Sequence, residues 1–589
     1  MKKKSAVHAQ AHPEHTKLSQ WFATAICGND ILSSTFYVSG ISIIYAGVYA
    51  PIVLACISLV LFFYKSVYTE VVSALPVNGG AYNCLLNATS KQLAAIAGTT
   101  TILSYIATAV ISGESAMQYL NSLVTIPVIP LTIGLLGLFA VLVISGIKDS
   151  AKVAFAIFSF HVLVLSGFVA FGAYYALSGG HSYLWANLTA TTPILDRLGG
   201  LIPAIFFGFA ASLLGVSGFE SSANFVEEQK PGVFPKTLRN MLISVAIFNP
   251  SIALIALNTL PFDVIIKAKD FLLSDVAHVL GGPILQYIVV IDAVFVLSGA
   301  VLTAFVGVSG LIFRMTTDGC FPDIIAKVNK KGSYPYIIIL FFALCTSILL
   351  ATNGDLLSLA GVYTIAFLSV MTLFALGNLL MRETRKELKR PYHAPLIFVI
   401  FAFIATAVGI FGNVRLDPVN VRYFLTYFAP AILLVFGTIY LDYVLRALMR
   451  FTRRIPVLHD FFERMFDKSA SGTYIVFVHH LDRLYDILNY IDRNEVGRNV
   501  YFVHCNDKGT PEYDKDYKEL VKTIPILQKS GVCPQLNIQT VYRHEKFGPE
   551  VVDSVAHDYK IPKNKVLLGS IRDEHTFSYE EFDGARIIF

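Results

Sequence analysis

Long apolar runs alternate with short polar loops through the first 446 positions of this 589-residue chain. A run of about 18 or more apolar residues is long enough to cross the hydrocarbon layer of a membrane as a helix. The alternation predicts twelve membrane-spanning helices, at roughly 20–45, 48–72, 92–120, 126–146, 151–177, 201–226, 238–260, 283–312, 335–352, 356–381, 395–413 and 422–446. Residues 20–446 are therefore expected to form an all-α polytopic membrane domain, preceded by a polar tail at 1–19.

The pattern changes after residue 446, where short β-rich runs alternate with helical runs. The runs TYIVFVH (473–479), NVYFVHC (499–505), KVLLGSI (565–571) and ARIIF (585–589) are candidate strands, and LNIQTVYRHE supplies another. Strands that alternate with helices in this way are typical of a parallel sheet with helices packed on it. We therefore predict a small α/β domain over residues 447–589.

Composition and charge agree with a membrane protein and indicate its orientation. The chain is 55% hydrophobic and 15% charged, whereas soluble proteins carry about 25% charged residues. Twelve spans place both ends on one side, and the loops on that side contain fifteen Lys and Arg residues against five in the opposite loops. Because basic loops stay in the cytosol, we expect a multi-pass plasma-membrane protein with both termini cytoplasmic.

Two acidic residues lie in the middle of predicted spans, where a charge is costly and usually functional. Asp30 in span 1 and Glu220 in span 6 each follow a glycine and precede a serine pair, in CGNDILSS and SGFESS. Glycine weakens a helix, and small polar side chains satisfy the backbone groups that a break exposes. Broken helices at matching places indicate an inverted-repeat transporter with its site at the membrane midplane. The alternative is that each acid only hydrogen-bonds a neighbouring helix.

Other acidic residues allow two interpretations each. Glu114 near the outer end of span 3 and Asp292 in the outer third of span 8 either reach the headgroup region or have a function in the membrane. Glu227 and Glu228 follow span 6 at the expected cytoplasmic exit. They form either an inner gate with the lysines that follow them or a solvated loop cluster.

Motifs along residues 20–446 resemble those of the amino acid–polyamine–organocation (APC) permease superfamily. They are PVNGGAY (76–82), GIKDSAK (146–152), GFE (218–220) with EEQKP (227–231), RMTTDGCFP (314–322) and KRPYHAP (389–395). The resemblance implies a LeuT-like fold, with spans 1–5 and 6–10 as two inverted repeats (5+5) and two extra helices. It also implies alternating access, with the substrate bound where helices 1 and 6 unwind, at about 27–33 and 215–220. Helix N-termini exposed there favour an anionic group.

Likeness to amino acid permeases implies an amino acid substrate and a coupling proton. Many of those proteins carry a lysine midway along helix 5, and the equivalent count from Ser150 reaches His161 here. Histidine changes its charge near physiological pH, which suits proton coupling, although it can also be a structural hydrogen-bonding residue. A carboxyl kept from water is costly to ionise, so Glu220 suits a proton carrier, with His161 and Asp30 as further candidates. The residues implied to bind substrate are Cys27, Gly28, Asn29, Asp30, Ser33, Tyr37, Tyr105, Thr108, Ser217, Gly218 and Tyr363.

A second likeness, to potassium importers of the Kup and KimA type, competes with the first. NDILSSTFY in span 1 is similar to their acidic, double-serine and tyrosine pattern, which would make Asp30 and Tyr37 cation ligands. The segment LSYIATAVIS in span 3 would then contribute Tyr105, Thr108 and Ser112. Those importers carry an aspartate just before that tyrosine, where this chain has Ser104. The loss of one acid weighs against a dehydrated potassium ion, which needs several oxygens and nearby negative charge.

The predicted cytosolic domain resembles the universal-stress-protein-like domains attached to some permeases. Such domains often bind nucleotides through a glycine-rich stretch, of which only LLGS (567–570) is present here. A regulatory nucleotide is therefore one interpretation, and a protein-binding or dimerisation domain is the other. The histidine pair at 479–480 has no further ligand spacing around it, so no metal site is expected there.

Other function classes find little support in the sequence. No nucleophile motif or metal-ligand set appears in the membrane part, no Walker motif is present, and the seven cysteines show no paired spacing. We therefore expect no enzyme activity, no cofactor and no nucleic-acid partner. The leading interpretation is a proton-coupled amino acid importer, with proton-coupled potassium uptake as the alternative and a membrane sensor as the non-transport alternative. The expected partners are the small-molecule substrate, the proton and a second copy of the chain.

Overall fold

A computed structural model describes most of the chain. The described residues are 17–146, 151–386, 388–470, 472–478, 484–495, 499–507, 510–530, 533, 536–561, 563–568, 582 and 585–587. Ser150, the histidine pair at 479–480, the last two residues of LLGS and residues 1–16 lie outside this set. The predictions made on those residues therefore stay predictions.

The membrane region is built from helices connected by short turns. They are α1 (Gln20–Ser33), α2 (Thr35–Ala46), α3 (Ala50–Ala74), α4 (Gly80–Ala88), α5 (Lys91–Asn121), α6 (Val128–Ile144), α7 (Ala151–Leu177), α8 (Leu184–Ala190), α9 (Thr192–Leu198), α10 (Leu201–Ser212), α11 (Phe234–Thr259), α12 (Phe262–Lys267), α13 (Leu272–Thr317), α14 (Pro335–Ala351), α15 (Leu356–Thr384), α16 (Leu396–Leu416) and α17 (Pro418–Ile439).

Helix length and composition make this a multi-pass membrane protein. Within the part of the chain that the structure describes, nine helical stretches are long and apolar enough to cross a membrane. One of them, Gln20–Ala74, contains α1 to α3 and so covers two predicted spans. The shorter apolar helices α6 and α14 fall on two further predicted spans. The count of twelve spans stays a prediction.

Several helix ends follow local signals in the sequence. Ser90, Asp355 and Asp417 accept hydrogen bonds from backbone N–H groups in the first turns of α5, α15 and α17. These side chains satisfy donors that have no partner inside the helix. Within α13 the backbone is not helical at Gly281 and Gly282, immediately before Pro283. The apolar part of α13 thus begins at a glycine–proline break, close to the predicted start of span 8.

The helices enclose α5, which is buried along almost its whole length. It packs against α13, α15 and α4, while α1 packs against α7, α11 and α13. By contrast, α16 and α17 expose large apolar side chains such as Phe411 and Leu433, as expected for a surface that faces lipid. The segments around Asp30 and Glu220 therefore lie inside the bundle.

After α17 come α18 (Leu441–Thr452) and α19 (Pro456–Ala470), and then a parallel sheet. Its strands run in the order β3-β2-β1-β4-β5. They are β1 (Thr473–Phe477), β2 (Asn499–Cys505), β3 (Asn537–Arg543), β4 (Val566–Leu568) and β5 (Arg586–Ile587). In register, Val476 of the central β1 pairs with Phe502 of β2 and Leu567 of β4.

Helices cover both faces of this sheet. We call the sheet together with these helices the α/β region (residues 472–587). Helices α20 (Leu484–Asn494) and α21 (Lys515–Lys529) close an apolar core on one face, and α22 (Pro549–Asp558) closes the other. A parallel sheet buried on both sides requires nearly continuous apolar strands. This explains why the strands could be found in the sequence as short apolar runs. The domain boundaries at 446–447 stay a prediction.

Candidate functional site

The sixth predicted span (201–226), called helix 6 below, is interrupted where the sequence predicts a break. Helix α10 ends at Ser212, and the chain continues as 3-10 turns over Leu213–Val216 and Glu220–Asn224. Between them Gly218 has a φ of +90°, in the left-handed region that side chains rarely adopt. The interruption exposes backbone groups at the level of Glu220.

The first predicted span (20–45), called helix 1 below, is interrupted later than the sequence predicts. The segment expected to unwind, 27–33, is helical, and the interruption lies at Ser34, between α1 and α2. The hydroxyl of Ser33 donates to the carbonyl of Asp30, and that of Ser34 donates to the carbonyl of Ile31, both at 2.7 Å. The last four carbonyls of a helix have no partner inside it, and the two serine hydroxyls bind two of these carbonyls at the end of α1, so the helix ends after Asp30 with these groups satisfied.

The glycine before Asp30 has a packing role instead of breaking the helix. A Cβ atom on Gly28 would lie 2.5 Å from the ring of Phe158, so its absence lets α1 approach α7. Asn29 also faces α7, where its Nδ2 donates to the Ala154 carbonyl at 2.9 Å. Cys27 is buried in the apolar core. The structure thus directs Gly28 and Asn29, both predicted to bind substrate, toward α7 and away from helix 6.

Asp30 is the point at which the two interrupted helices meet. Ser221 donates to Asp30 Oδ2 at 2.5 Å and to the Gly218 carbonyl at 2.8 Å. A Cβ atom on Gly218 would lie 2.9 Å from Asp30 Cγ and 2.9 Å from the Ile31 nitrogen. Only glycine therefore allows the backbone of helix 6 to come this close to Asp30.

Glu220 lies in the same buried cluster and binds the backbone of the break. Its Oε2 accepts from the Gly218 N–H at 3.0 Å, and its Oε1 accepts from the Ser104 hydroxyl of α5 at 3.1 Å. Asp30 and Glu220 are 4% and 5% exposed. Two carboxyl groups are thus held away from water, each with hydroxyl or amide donors around it.

Hydroxyl groups from several helices lie close to these two acids. Tyr37 lies beside Ser217 and Ser33. Tyr363 of α15 lies beside Thr108 of α5. These five predicted residues are buried, and the two tyrosines lie near both Asp30 and Glu220. We call the set made by Asp30, Glu220, Gly218, Ser221 and Ser104 the central cluster.

Sequence reasoning missed two asparagines that hold the break in place. Asn249 of α11 donates from Nδ2 to the Gly215 carbonyl at 3.2 Å and accepts from the Thr35 hydroxyl at 2.9 Å. Asn224 donates to the predicted residue Tyr105 at 2.7 Å. The available signal for Asn249 is a polar residue followed by proline in the middle of an apolar span, FNPS (248–251).

His161 lies outside the central cluster and forms a buried pair of its own. Its Nδ1 is 2.7 Å from Asp292 Oδ2, and both side chains are inaccessible to solvent. Asp292 therefore does not extend to the headgroup region, although the sequence allowed that interpretation. The pair connects α7 to α13 through a buried polar contact.

Glu114 is also buried, at the end of α5 that is predicted to face outward. Gln118 donates to its Oε1 at 2.7 Å. The residue lines a cavity of about 340 Å³ together with Asn353, Gly354 and residues of α6. Glu114 therefore lies at a crevice near the ends of α5 and α6, where its carboxyl group is largely shielded from water.

The acidic pair after helix 6 contacts Asn78 of the PVNGGAY motif. The Asn78 N–H donates to Glu227 at 3.0 Å, and its Nδ2 donates to Glu228 at 3.1 Å. Its Oδ1 accepts from the N–H groups of Val226 and Glu227. In addition, Leu18 pairs through its backbone with the 228–230 segment. The segments that precede α1 and α4 are thus bound to the residues that follow helix 6.

This arrangement suits the binding of a small charged solute. Backbone N–H groups freed by a helix break can bind an anionic group, and carboxylates can bind a cationic group or a proton. Because both features occur side by side in a buried place, a solute would exchange its water shell for fixed protein groups. Access from either side would then require movement of the interrupted helices.

Comparisons of the sequence with known proteins agree with a transport role. A sequence profile of the family described as amino acid permease matches residues 18–437. The chain is 26% identical over 403 residues to the branched-chain amino acid permease BcaP of Bacillus subtilis, covering 64% of this chain and 82% of BcaP. It is 24% identical over 379 residues to the potassium transporter KimA of Bacillus subtilis, covering 61% of each chain. A crystal structure of a manganese transporter from Eremococcus coleocola covers 71% of this chain and 93% of its own, with 11% identity and a TM-score of 0.47.

Proposed function

Because the chain belongs to the amino acid permease family of the APC superfamily, we propose that it imports an amino acid together with a proton. It is a multi-pass membrane transporter of the APC type. In detail, we propose that twelve spans form a LeuT-like 5+5 inverted repeat. This fold would move the substrate by alternating access and leave it chemically unchanged. The observation that carries it is the contact between Asp30 of helix 1 and the break of helix 6 at Gly218.

The central cluster suggests how a proton and an amino acid are coupled. In the structure, Glu220 Oε2 occupies the Gly218 N–H. A protonated carboxyl is a weaker acceptor than a carboxylate, so protonation would loosen this bond. The released N–H group would then be available for the carboxylate of an amino acid. In this proposal Glu220 carries the coupling proton, and the proton and the substrate load together.

The remaining predicted residues take supporting roles in the proposal. Asp30 supplies negative charge for the substrate amino group, held in place by Ser221. The hydroxyls of Tyr37, Tyr363 and Thr108 complete the polar lining. We further propose that His161, with Asp292, forms a second protonation site. If Glu220 alone carries the coupling proton, the pair of His161 and Asp292 has only a structural role.

Potassium is the second candidate cargo, and a specific feature favours it. Asp30 lies near the hydroxyls of Ser221 and Tyr37, whose oxygens are ligands that a dehydrated potassium ion accepts, and one relative is named a potassium transporter. Against it, Ser104 stands where the potassium importers carry an acid, and Ser104 here donates to Glu220. The amino acid proposal therefore comes first.

Orientation and regulation form the remainder of the proposal. Both termini would face the cytosol at the plasma membrane, as the basic loops indicate. The α/β region would act as a regulatory domain that binds either a nucleotide or a protein, including a second copy of the chain. We refer below to the ends of helices predicted to face the cytosol as inner ends.

Uptake by the purified protein in liposomes tests the choice of cargo. Labelled amino acids, beginning with leucine, isoleucine and valine, and labelled rubidium as a substitute for potassium, would be offered with and without an inward proton gradient. Accumulation of an amino acid that depends on the gradient is the expected result. Rubidium uptake without amino acid uptake would replace the leading proposal by the second. Accumulation of neither would favour a sensor.

A further inference from the structure

A buried group of charges joins the α/β region to the inner ends of the membrane helices. Arg586 of β5 places Nη2 2.7 Å from Glu495 Oε1 and Nε 2.8 Å from Asp318 Oδ1. The contact with Asp318 fits an ion pair better than a straight hydrogen bond. Glu495 follows α20 in the α/β region, whereas Asp318 follows α13 in the membrane region. One guanidinium therefore bridges the two parts of the chain.

Two further charges lie beside this bridge, the buried Lys91 and the partly exposed Arg314. Lys91 Nζ at the start of α5 lies 4.0 Å from Glu495, and Arg314 Nε lies 3.6 Å from Asp318. Arg586, Asp318 and Glu495 are each 2% exposed or less. Removing one partner of a buried ion pair leaves a charge without compensation, which is strongly unfavourable. Contact between the two parts should therefore depend strongly on Arg586.

A chain of contacts leads from this bridge toward the central cluster. Tyr82 of α4 donates to Asp318 Oδ2 at 2.8 Å. Two residues earlier, at the start of α4, a Cβ atom on Gly80 would lie 3.4 Å from Asn224 Oδ1. Asn224 in turn donates to Tyr105. The short helix α4 thus lies between the Arg586 bridge and the interrupted part of helix 6.

Residues just before α4 strengthen this connection. Asn78 precedes α4 and binds both carboxylates and two backbone N–H groups at the exit of helix 6. A shift of α4 would therefore also move Asn78 and, with it, the exit of helix 6 that follows Glu220. Coupling between distant sites needs such an element, whose position both sites influence.

We propose that Arg586 is a positioning residue for transport, which holds α4, through Asp318 and Tyr82, where it keeps the inner side of the central cluster closed. The α/β region then controls the opening of the inner side, and anything that displaces β5 would promote opening. The inference rests on the proposed transport function for its consequence, but the closed inner side can be measured without transport.

Labelling of Cys27 measures access from the inner side directly. This thiol is buried close to Asp30 and Glu228. In a full-length chain whose other six cysteines are replaced by serine, a maleimide would react with Cys27 only when water reaches it. Arg586→Ala should raise the labelling rate about tenfold, and Arg586→Lys should raise it less because lysine retains the charge but not the fork of donors.

Two further variants keep this test decisive. Tyr82→Phe removes the donor to Asp318 on the membrane side, so it should also increase labelling even if Arg586→Ala folds poorly. Arg543→Ala is the matched control, because Arg543 pairs with Asp558 within the α/β region at 2.5 Å. It should leave labelling at the wild-type rate. Wild-type labelling in both folded Arg586→Ala and Tyr82→Phe would overturn the proposal, as would equal increases in the control.

Uptake kinetics provide the second readout. If the inner side of Arg586→Ala stays open, fewer molecules are competent for external substrate, so KM for uptake should rise several-fold. Binding of substrate to the detergent-purified protein should change less, because both sides are then accessible. Unchanged KM together with increased labelling would contradict the link to transport. If the wild type transports no tested solute, the proposed function fails while the labelling result still decides the role of Arg586.

Discussion

Ser221 donates a 2.5 Å hydrogen bond to Asp30 and thereby joins two interrupted helices that are 191 positions apart in sequence. Both residues are buried, and the same serine also binds the carbonyl of Gly218. One hydroxyl therefore sets the distance between the backbone of helix 6 and the acid of helix 1. The first two predictions follow from this contact.

Replacing Ser221 by alanine should weaken substrate binding. A hydrogen bond to a buried carboxylate contributes about 1.5–3 kcal/mol. Asp30 would lose its fixed orientation, and we expect KM for uptake to rise roughly tenfold, which corresponds to about 1.4 kcal/mol. Ser222→Ala is the matched control, since Ser222 donates to the Phe219 carbonyl at 2.6 Å. Equal effects of the two variants in the uptake assay would argue against a role for the Asp30 contact.

Gly218→Ala should impair folding and transport together. A side chain at a φ of +90° costs about 1–3 kcal/mol in strain, and the new Cβ atom would also collide with Asp30. Gly232→Ala tests strain alone, because Gly232 has a φ of +75° with no atom within 4 Å of the added Cβ. We expect a clearly larger loss of thermal stability and at least a tenfold loss of uptake for Gly218→Ala. Similar losses in both variants would mean that contact with Asp30 is unimportant.

Breaking the pair of His161 and Asp292 should destabilise the bundle. His161→Leu leaves Asp292 buried without its partner, at a cost of roughly 3 kcal/mol. The double variant His161→Leu with Asp292→Leu should regain most of this stability in thermal unfolding. If the pair is a second protonation site, substrate accumulation by the double variant should nevertheless depend less steeply on the imposed proton gradient. Wild-type accumulation by the double variant would leave the pair a structural role.

Contact between the α/β region and the membrane helices should weaken in acid. Burial alone would raise the pKa of Glu495, but the charges of Arg586 and Lys91 outweigh burial, so its pKa lies below the usual value. Asp318 and Tyr490 are the other ionisable groups that interact with it. A lowered pKa means that the carboxylate stabilises the contact above the ordinary glutamate value of about 4.3 and that this contribution is lost as pH falls through the lowered value.

Spin labels can measure this contact in solution. Val328, in the loop before α14, and Tyr485 of α20 are exposed positions on the two parts of the chain. The distance distribution between labels there should be narrow at pH 7 and broaden below about pH 4. Glu495→Gln should broaden it already at pH 7. A distribution that instead broadens only on raising the pH would contradict the assigned sign.

The positions of the two central acids could be predicted from the sequence because the cost of a charge in lipid is a local property. Asp30 and Glu220 stand out in apolar runs wherever those runs pack. The site of the helix 1 break could not be predicted, because it depends on serine bonds within the helix and on Phe158 lying opposite Gly28. A glycine before an acid looks the same in sequence whether it breaks a helix or permits close packing.

Partners far apart in the chain were equally inaccessible to sequence reasoning. The sequence shows His161 and Asp292 as separate polar residues, 131 positions apart, and only the packing of α7 on α13 brings them together. The same holds for Arg586 and Asp318. By contrast, the strands of the α/β region could be located because a sheet buried on both faces requires apolar runs.

The most direct test of the account is gradient-driven accumulation by Glu220→Gln, compared with wild type in liposomes with an inward proton gradient. Glutamine still reaches Gly218 and Ser104, but it cannot take up and release a proton. We predict that the variant binds the substrate and exchanges it across the membrane, yet does not accumulate it above the external concentration. Accumulation equal to that of the wild type would contradict the assignment of the coupling proton to Glu220.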